Sequence, residues 1–293
     1  MTVTQSLVRV SAVVLLAVSS AVSERLSAEW KQPVVVENRI GASGNIGAEL
    51  VARAAPDGHS LLVGPDTIAS INPHIFKKLT FNPLEDLVPV IYLASTPQMR
   101  VCNPAVPVKD LRGCIAHARS QKINYASGGP GVPGHMAMEL FRSMTGIDMV
   151  HIPYKGPGPA MQDVMAGQVP WGFLATSVVA GQAKAGKLTA LALSATTRTP
   201  IAPDVPTAAE AGLPGYNATF GETVWAPKGT PEAVLRRIND DFSRALQVPE
   251  VRERMLAVDL PFQVNSPADA AARLRAESMK WTRVAEQIGL QVD

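Results

Sequence analysis

The stretch PVVVENRIGASGNIGAELVARAAPDGHSLLVG, residues 33–64, decides the fold class of this chain. It opens with a β-branched run at residues 33–37, which is typical of a buried strand. Apolar residues at helical spacing follow over residues 45–55, and Pro56-Asp57-Gly58 predicts a turn before a second strand at residues 60–64. A strand, a glycine-rich loop, a helix and another strand in this order predict an α/β fold.

The same alternation continues along most of the chain. Runs of β-branched and apolar residues predict further strands at residues 87–93, 99–103, 123–126, 150–153, 170–175 and 187–194. Helical spacing predicts helices at residues 108–119, 135–145, 160–166, 231–246, 249–258 and 267–288. This layout predicts that lobe 1 comprises residues 24–102 and 224–293 and that lobe 2 comprises residues 103–223. Two crossings of the chain between these lobes predict a hinge, and a hinge between two α/β lobes places a ligand in the cleft between them.

The composition argues against several classes of function. Among 293 residues, 27 are basic and 25 are acidic, so the net charge is only +2, and no dense Lys/Arg run occurs. Nucleic-acid binders neutralise phosphates with excess positive charge, so no nucleic-acid partner is expected. Cys102 and Cys114 favour buried free thiols over a disulfide, and no Cys/His cluster indicates a zinc site. No cofactor is expected.

Residues 1–23 allow two interpretations. Arg9 precedes the apolar run Val10–Val18, and small residues follow up to Ser23, which is the pattern of a short secretory signal peptide. The run is shorter than the about 20 apolar residues that span a bilayer. In the alternative interpretation, residues 7–18 contain a core β-strand of the folded protein.

Two glycine loops each stand between a predicted strand and a predicted helix. The first is GASGNIG at residues 41–47, and the second lies within NYASGGPG at residues 124–131. Glycines let a backbone turn sharply and approach a ligand, and N–H groups at a helix start attract anions. Together the loops predict a carboxylate clamp built from backbone N–H groups and the hydroxyls of Ser43 and Ser127. Each loop taken alone is also consistent with a structural turn.

Other polar side chains have a structural and a functional interpretation. Tyr154 and Lys155 follow the end of a predicted strand, where open α/β sheets bind ligands, but packing and a solvated charge explain them equally well. His135 is expected to cap its helix. Ser127 and His135 lack the G-x-S-x-G context and an acidic partner in the expected order, so catalysis is not predicted.

Several long motifs occur in an order that resembles one family. Besides residues 33–62 they are NYASGGPGVPGHMAMELFRSMTG, HIPYKGPGPAMQDVMAGQV, GKLTALALS and PDVPTAAEAGLPGY. From Ser23 onward the chain resembles the Bug family, the periplasmic substrate-binding receptors of tripartite tricarboxylate transport systems. The resemblance implies a Venus-flytrap, type II-like fold of two α/β lobes. It also implies a periplasmic monomer that captures a small organic acid for membrane permease subunits.

The resemblance further implies a set of ligand-binding positions. They fall on the two glycine loops, on the turn of residues 67–72 and on two nearby side chains. By number they are Gly41, Ala42, Ser43, Gly44, Asn45, Thr67, Asn72, Ser127, Gly128, Gly129, Gly131, Tyr154 and Leu174. Many members carry an Asp where this chain has Leu174, so the resemblance implies a substrate without an amino group.

The front of the chain departs from the family pattern. Members begin with a strand and a loop of the type P-x-x-P-G-G-x-x-D, which falls at about residues 10–18 here. This chain has VSAVVLLAV at those positions. The first strand and loop are therefore expected to be missing or altered, which weakens one wall of the carboxylate site.

These observations favour a solute-binding protein that captures a carboxylate and performs no chemistry. Two alternatives stay open. One is a truncated or degenerate paralogue that binds nothing, and the other is an α/β enzyme that acts on an anionic substrate.

Overall fold

The protein is described by a computed structural model that covers residues 8–12, 16–39, 41–257 and 259–292. The strands are β1 (Val8–Ala12), β2 (Val34–Asn38), β3 (Ser60–Pro65), β4 (Leu87–Thr96), β5 (Gln98–Cys102), β6 (Ile123–Ser127), β7 (Met149–Pro153), β8 (Trp171–Ala175), β9 (Thr189–Leu193) and β10 (Phe220–Pro227). The helices are α1 (Leu16–Trp30), α2 (Asn45–Ala52), α3 (Thr67–Ser70), α4 (Asn72–Ile75), α5 (Pro83–Asp86), α6 (Leu111–Ser120), α7 (Pro133–Thr145), α8 (Pro157–Met165), α9 (Thr176–Lys184), α10 (Glu232–Gln247), α11 (Pro249–Ala257) and α12 (Pro267–Ile288). The chain divides into two compact units, each with its own sheet.

The first unit is built on a sheet with strand order β2-β1-β3-β10-β4. Strand β1 runs parallel to β2 and β3, and β10 runs antiparallel to β3. Successive side chains of a strand point to opposite faces, so Leu61 and Val63 pack into one apolar cluster with Phe242 of α10. Leu62 packs into the cluster on the other face with Trp225. Both faces of the sheet are therefore covered.

Residues 8–12 form a strand inside the first sheet, so of the two expectations for the first strand, missing or altered, the structure shows a strand that is present. Val10 pairs in register with Val36 of β2 and with Leu61 of β3. This pairing is what the core-strand interpretation of the N-terminal residues predicts, and cleavage near Ser23 stays a prediction. Residues 10–18, where the family-type loop would fall, include the end of β1 and the start of α1. Residues 13–15 between them lie outside the described part of the chain.

The second unit is built on a sheet with strand order β7-β6-β8-β5-β9. Its boundary differs from the predicted one, because the first unit ends at Ser95 and not at residue 102. Strand β5 was assigned to lobe 1, but it pairs antiparallel with β8 and β9 of the second sheet. The chain returns to the first unit at Gly221, three residues before the predicted position 224. Cys102 and Cys114 are buried and free.

Two elements that support the sites escaped the sequence analysis. Helix α9 carries β-branched residues and a glycine, which lower helix propensity. Strand β10 is buried at every position, so it shows no alternation between polar and apolar residues. Segment 203–216 contains turns and no described helix, although a short helix was expected there.

Candidate functional site

The first glycine loop has a left-handed backbone over four consecutive residues. The φ angles are +125° at Gly41, +45° at Ala42, +53° at Ser43 and +92° at Gly44, after which Asn45 begins α2. Glycine adopts such angles at little cost, whereas Ala42 and Ser43 are strained there by about 1–3 kcal/mol each. Such strain persists only where neighbouring groups hold the backbone in place.

Asn72 holds this loop. Its Nδ2 group donates a hydrogen bond to the backbone oxygen of Ser43 at 3.1 Å and another to Oδ1 of Asn45 at 2.7 Å. Asn72 is fully buried, and Asn45 is almost fully buried. Asn45 Nδ2 and Asn72 Oδ1 are themselves buried and have no hydrogen-bond partner within the described chain. The structure thus brings the first predicted loop and the predicted turn at residues 67–72 together, and leaves a buried amide donor and acceptor unused.

Asp66, just before that turn, was missed by the sequence analysis. Its backbone N–H donates to Gly221 O at 2.7 Å, and its Oδ2 accepts the Gly221 N–H at 2.8 Å. Its Oδ1 is buried without a partner in the described structure, as is Ser70 Oγ. Burial, together with the charge of Glu277, raises the pKa of Asp66 to about 8. The position of Asp66 at the carboxyl end of a buried strand is a signal that could have found it.

Glu222 of β10 is a second buried acid in the first unit. Burial, reinforced by Asp66, raises the pKa of Glu222 well above its usual value. Asp66 therefore favours its protonated form at neutral pH, and the pKa of Glu222 is shifted in the same direction. Nothing in the sequence marked Glu222, because its burial depends on the pairing of β10 with β3.

The second glycine loop is held by hydrogen bonds within its own unit. Ser127 is fully buried, and its Oγ lies 2.7 Å from Nε2 of His151, accepts the Gly129 N–H at 3.2 Å and lies 3.1 Å from Gly129 O. The Gly131 N–H donates to Nδ1 of His135 at 2.9 Å. Three groups predicted to be ligand donors are therefore already bonded to protein atoms. A ligand role of the Ser127 hydroxyl therefore stays a prediction, and His135 accepts the Gly131 N–H, whereas the N-cap of α7 is Val132.

The glycines at positions 128 and 134 lie close to neighbouring backbone. The backbone oxygen of Gly128 accepts the N–H of Gly156 at 3.0 Å, and a Cβ at residue 128 would lie 3.1 Å from Pro157 N, which is a tight contact. A Cβ at Gly134 would lie only 2.1 Å from the backbone oxygen of Phe173. The start of α7 therefore approaches the backbone of β8 more closely than any larger residue would allow.

The contact between Ser127 and His151 resembles a nucleophile and a base, but its surroundings do not suit catalysis. The Ser127 side chain is inaccessible to solvent. Burial, together with the neighbouring His135, lowers the pKa of His151 to about 3. An imidazole with so low a pKa is a poor general base at neutral pH. The pair therefore orders the loop and does not activate a hydroxyl.

Tyr154 and Leu174 occupy different environments from those predicted. The Tyr154 hydroxyl donates to Oδ2 of Asp163 at 2.6 Å, and its N–H donates to Ser127 O at 3.0 Å. Burial and this bond raise the pKa of Tyr154 to about 12. Leu174 is 1% exposed and packs in the core of the second unit with Met99. The Leu174 side chain therefore lies in the apolar core, and a ligand contact at this position, with the argument about an amino group, stays a prediction.

Comparisons with known proteins agree with this architecture. The model of the tripartite tricarboxylate transporter family receptor matches residues 18–290. BugT of Bordetella pertussis is 33% identical over 264 residues, which is 89% of this chain and 81% of BugT. The chain belongs to the family of tripartite tricarboxylate transporter receptors, and it is also similar to Bug proteins. Both findings confirm the family that the sequence predicted.

Solved structures confirm the two-lobed α/β fold. A protein of R. palustris with adipate has a TM-score of 0.91 at 28% identity and covers 99% of both chains. MatC of Rhodopseudomonas palustris with bound malate has a TM-score of 0.85 at 30% identity, covering 97% of this chain and 99% of MatC. The periplasmic binding protein BugD has a TM-score of 0.88 at 26% identity, covering 97% of this chain and 98% of BugD. Of these three, BugD is a periplasmic binding protein, and the other two structures contain small carboxylates.

The described residues contain neither a metal-binding cluster nor a membrane-spanning helix. No group of His, Cys, Asp and Glu side chains there is arranged to hold a metal ion. Among the helices that the structure describes, none combines the length and apolar character needed to span a membrane.

Proposed function

We propose that this chain is an extracytoplasmic receptor that binds a small organic carboxylate and delivers it to the permease of a tripartite tricarboxylate-type transporter. Family membership and the adipate and malate in the R. palustris structures support this proposal. The observation in this chain that carries it is the Asn45 amide, which offers a buried, unpartnered donor in a strained loop.

The chemistry of the first loop suits an anion. Asn45 lies at the N-terminus of α2, where backbone N–H groups and the helix dipole favour negative charge. Asp66 and Glu222 would repel a carboxylate if they were ionised, but burial favours their neutral forms. A hydrogen bond to a charged ligand contributes about 1.5–3 kcal/mol. A few such bonds, with little opposing charge, are sufficient for tight binding.

Titration calorimetry with the purified chain tests ligand binding directly. Adipate, malate and citrate are compared with adipamide, which has the length of adipate but no charge. We expect at least one carboxylate to bind and the diamide not to bind. Aspartate and glutamate in the same series test whether an amino group is accepted. Failure of every acid would favour the degenerate-paralogue alternative, and turnover of an acid would favour the enzyme.

A matched pair of variants tests the role of the first loop. Asn45→Asp replaces the unpartnered donor with a negatively charged acceptor, so we expect carboxylate affinity to fall by at least about tenfold. Asn82→Asp makes the same change at an exposed residue of the same unit whose Oδ1 accepts the Leu84 N–H. Affinity should be unchanged in this control. Equal losses in both variants would remove Asn45 from the site.

Export and assembly require separate measurements. Native mass spectrometry of the chain exported from a Gram-negative host reports cleavage, oligomeric state and any retained acid. Because β1 pairs with two neighbouring strands, we expect an exported monomer that keeps residues 8–12. A folded, ligand-bound product cut near Ser23 would contradict this expectation. Substrate uptake that requires both this chain and a coexpressed permease would support the transporter role.

A further inference from the structure

The second glycine loop is tied to two histidines that touch each other. The His135 and His151 rings stack with centroids 3.9 Å apart and an interplanar angle of 11°. His151 Nε2 meets the Ser127 hydroxyl at 2.7 Å, and His135 Nδ1 accepts the Gly131 N–H at 2.9 Å. One imidazole therefore holds the start of the loop and the other holds its end.

From this geometry we infer that His135 and His151 act as a neutral imidazole pair that positions loop 127–131 for ligand binding. The inference rests on the proposed receptor function and deepens it. Neither ring is assigned a ligand contact. Their role is to fix the backbone of the loop in advance, so that binding does not have to order it.

The hydrogen bonds specify the protonation state of His135. A backbone N–H can only donate, so Nδ1 of His135 must be unprotonated to accept the Gly131 N–H. The ring proton then lies on Nε2, which is 3.7 Å from Oε1 of Glu139. A second proton on Nδ1 would place two donors against each other. Protonation of His135 therefore removes the bond that holds Gly131.

The surroundings keep both rings neutral at physiological pH. Burial, together with the charge of Arg142, lowers the pKa of His135 to about 4. Stacking also disfavours protonation of both rings at once, because two imidazolium charges 3.9 Å apart would repel each other. The charged and titratable groups around the pair, from each element packed against it, are Glu139 and Arg142 of α7, Tyr125 of β6, Arg100 of β5 and Asp148 before β7.

Two variants of His135 separate positioning from simple packing. His135→Asn keeps an acceptor near the position of Nδ1 but cannot be protonated. His135→Phe keeps an aromatic ring but removes the acceptor. With the acid that the wild type binds, we expect His135→Phe to lose about tenfold in affinity near pH 7 and His135→Asn to stay within about threefold. His117→Asn, in the same unit and away from the loop, serves as the control.

The pH profile distinguishes positioning from a structural role. As pH falls from about 6 toward 4, His135 in the wild type becomes protonated and affinity should decrease. His135→Asn should lose less affinity over the same range. Since both proteins are titrated with the same acid, protonation of the ligand itself cancels in the comparison. Identical profiles for the two proteins would overturn the inference.

Amide hydrogen exchange of Gly131 tests the inference without a ligand. The amide should be protected in the wild type and His135→Asn, and should exchange faster in His135→Phe. Unchanged protection in His135→Phe would overturn the positioning role even if the receptor binds its acid. A wild type that binds no acid, with the expected exchange pattern, would instead refute only the proposed function.

Discussion

The two glycine loops follow the same local plan, but different chemistry holds them. The loop at residues 41–45 is strained at Ala42 and Ser43, and the Asn72 side chain bonds to it. In the loop at residues 127–131 the Ser127 hydroxyl and the Gly129 and Gly131 N–H groups are bonded to protein atoms. The first loop keeps an unpartnered buried amide among the described residues, and the second has used three of the groups predicted to face a ligand. Similar sequence patterns can therefore place quite different hydrogen-bonding capacity at a site.

The largest expected effect concerns close packing, where the start of α7, just after the second loop, should be less tolerant than the first loop. In Gly134→Ala the new Cβ would lie 2.1 Å from a backbone oxygen, which cannot move without shifting β8. We expect a loss of more than about 3 kcal/mol in the free energy of unfolding, or an insoluble protein. In Gly41→Ala the Cβ meets the flexible end of Ile46 at 2.6 Å, and the cost should be about 1–2 kcal/mol. Urea unfolding measures both, and equal costs would contradict the comparison.

The second prediction tests whether the Asn72 side chain holds the first loop. Asn72→Ala removes the bonds to Ser43 and Asn45, so we expect about 2 kcal/mol less stability and faster amide exchange at residues 41–45 only. Ser127→Ala should loosen only residues 127–131, with a loss of about 1–2 kcal/mol. Exchange that increases in both loops in either variant would show that the loops are not held independently.

A third prediction concerns pH and the buried acid beside the first loop. Since the folded pKa of Asp66 is raised to about 8, its stabilising protonated form is fully present below the unfolded pKa of 3.8 and is lost as pH rises through about 8. Asp66→Asn stays neutral, so its stability relative to the wild type should improve with a slope of up to about 1.4 kcal/mol per pH unit between about pH 5 and about pH 8, and should then level off. Thermal unfolding across this range measures the difference. The exposed Asp204→Asn is the control and should show no such trend, whereas a parallel trend would reject the assignment.

The smallest effect is expected at Tyr154. Its hydroxyl is engaged by Asp163 at 2.6 Å, so Tyr154→Phe should lose about 0.5–1.5 kcal/mol of stability. Carboxylate affinity should change by less than about threefold, because the hydroxyl has a protein partner. A tenfold loss of affinity at unchanged stability would instead place the hydroxyl on the ligand and restore the family-based assignment.

Much of the fold followed from local sequence signals. Hydrophobic periodicity marked β3, α7 and α12, and glycine spacing marked both loops, because these features depend on neighbouring residues. The end of the first unit was misplaced, because β5 is assigned by its partners β8 and β9 and not by its own residues. Among the site residues, the burial of Leu174 was not predictable, because it depends on which face of β8 meets the core.

The sequence by itself determined the α/β class, the order of most elements, the family and the two glycine loops, since each depends on short-range periodicity, turn chemistry or a linear motif. Only the tertiary structure decided which groups in those loops remain available. Asn72 reaches Asn45 across 27 positions in sequence, and His151 reaches Ser127 across 24. Gly221 meets Asp66 across 155. Such contacts, and the desolvation that shifts the pKa of Asp66 and His135, arise from packing between distant segments.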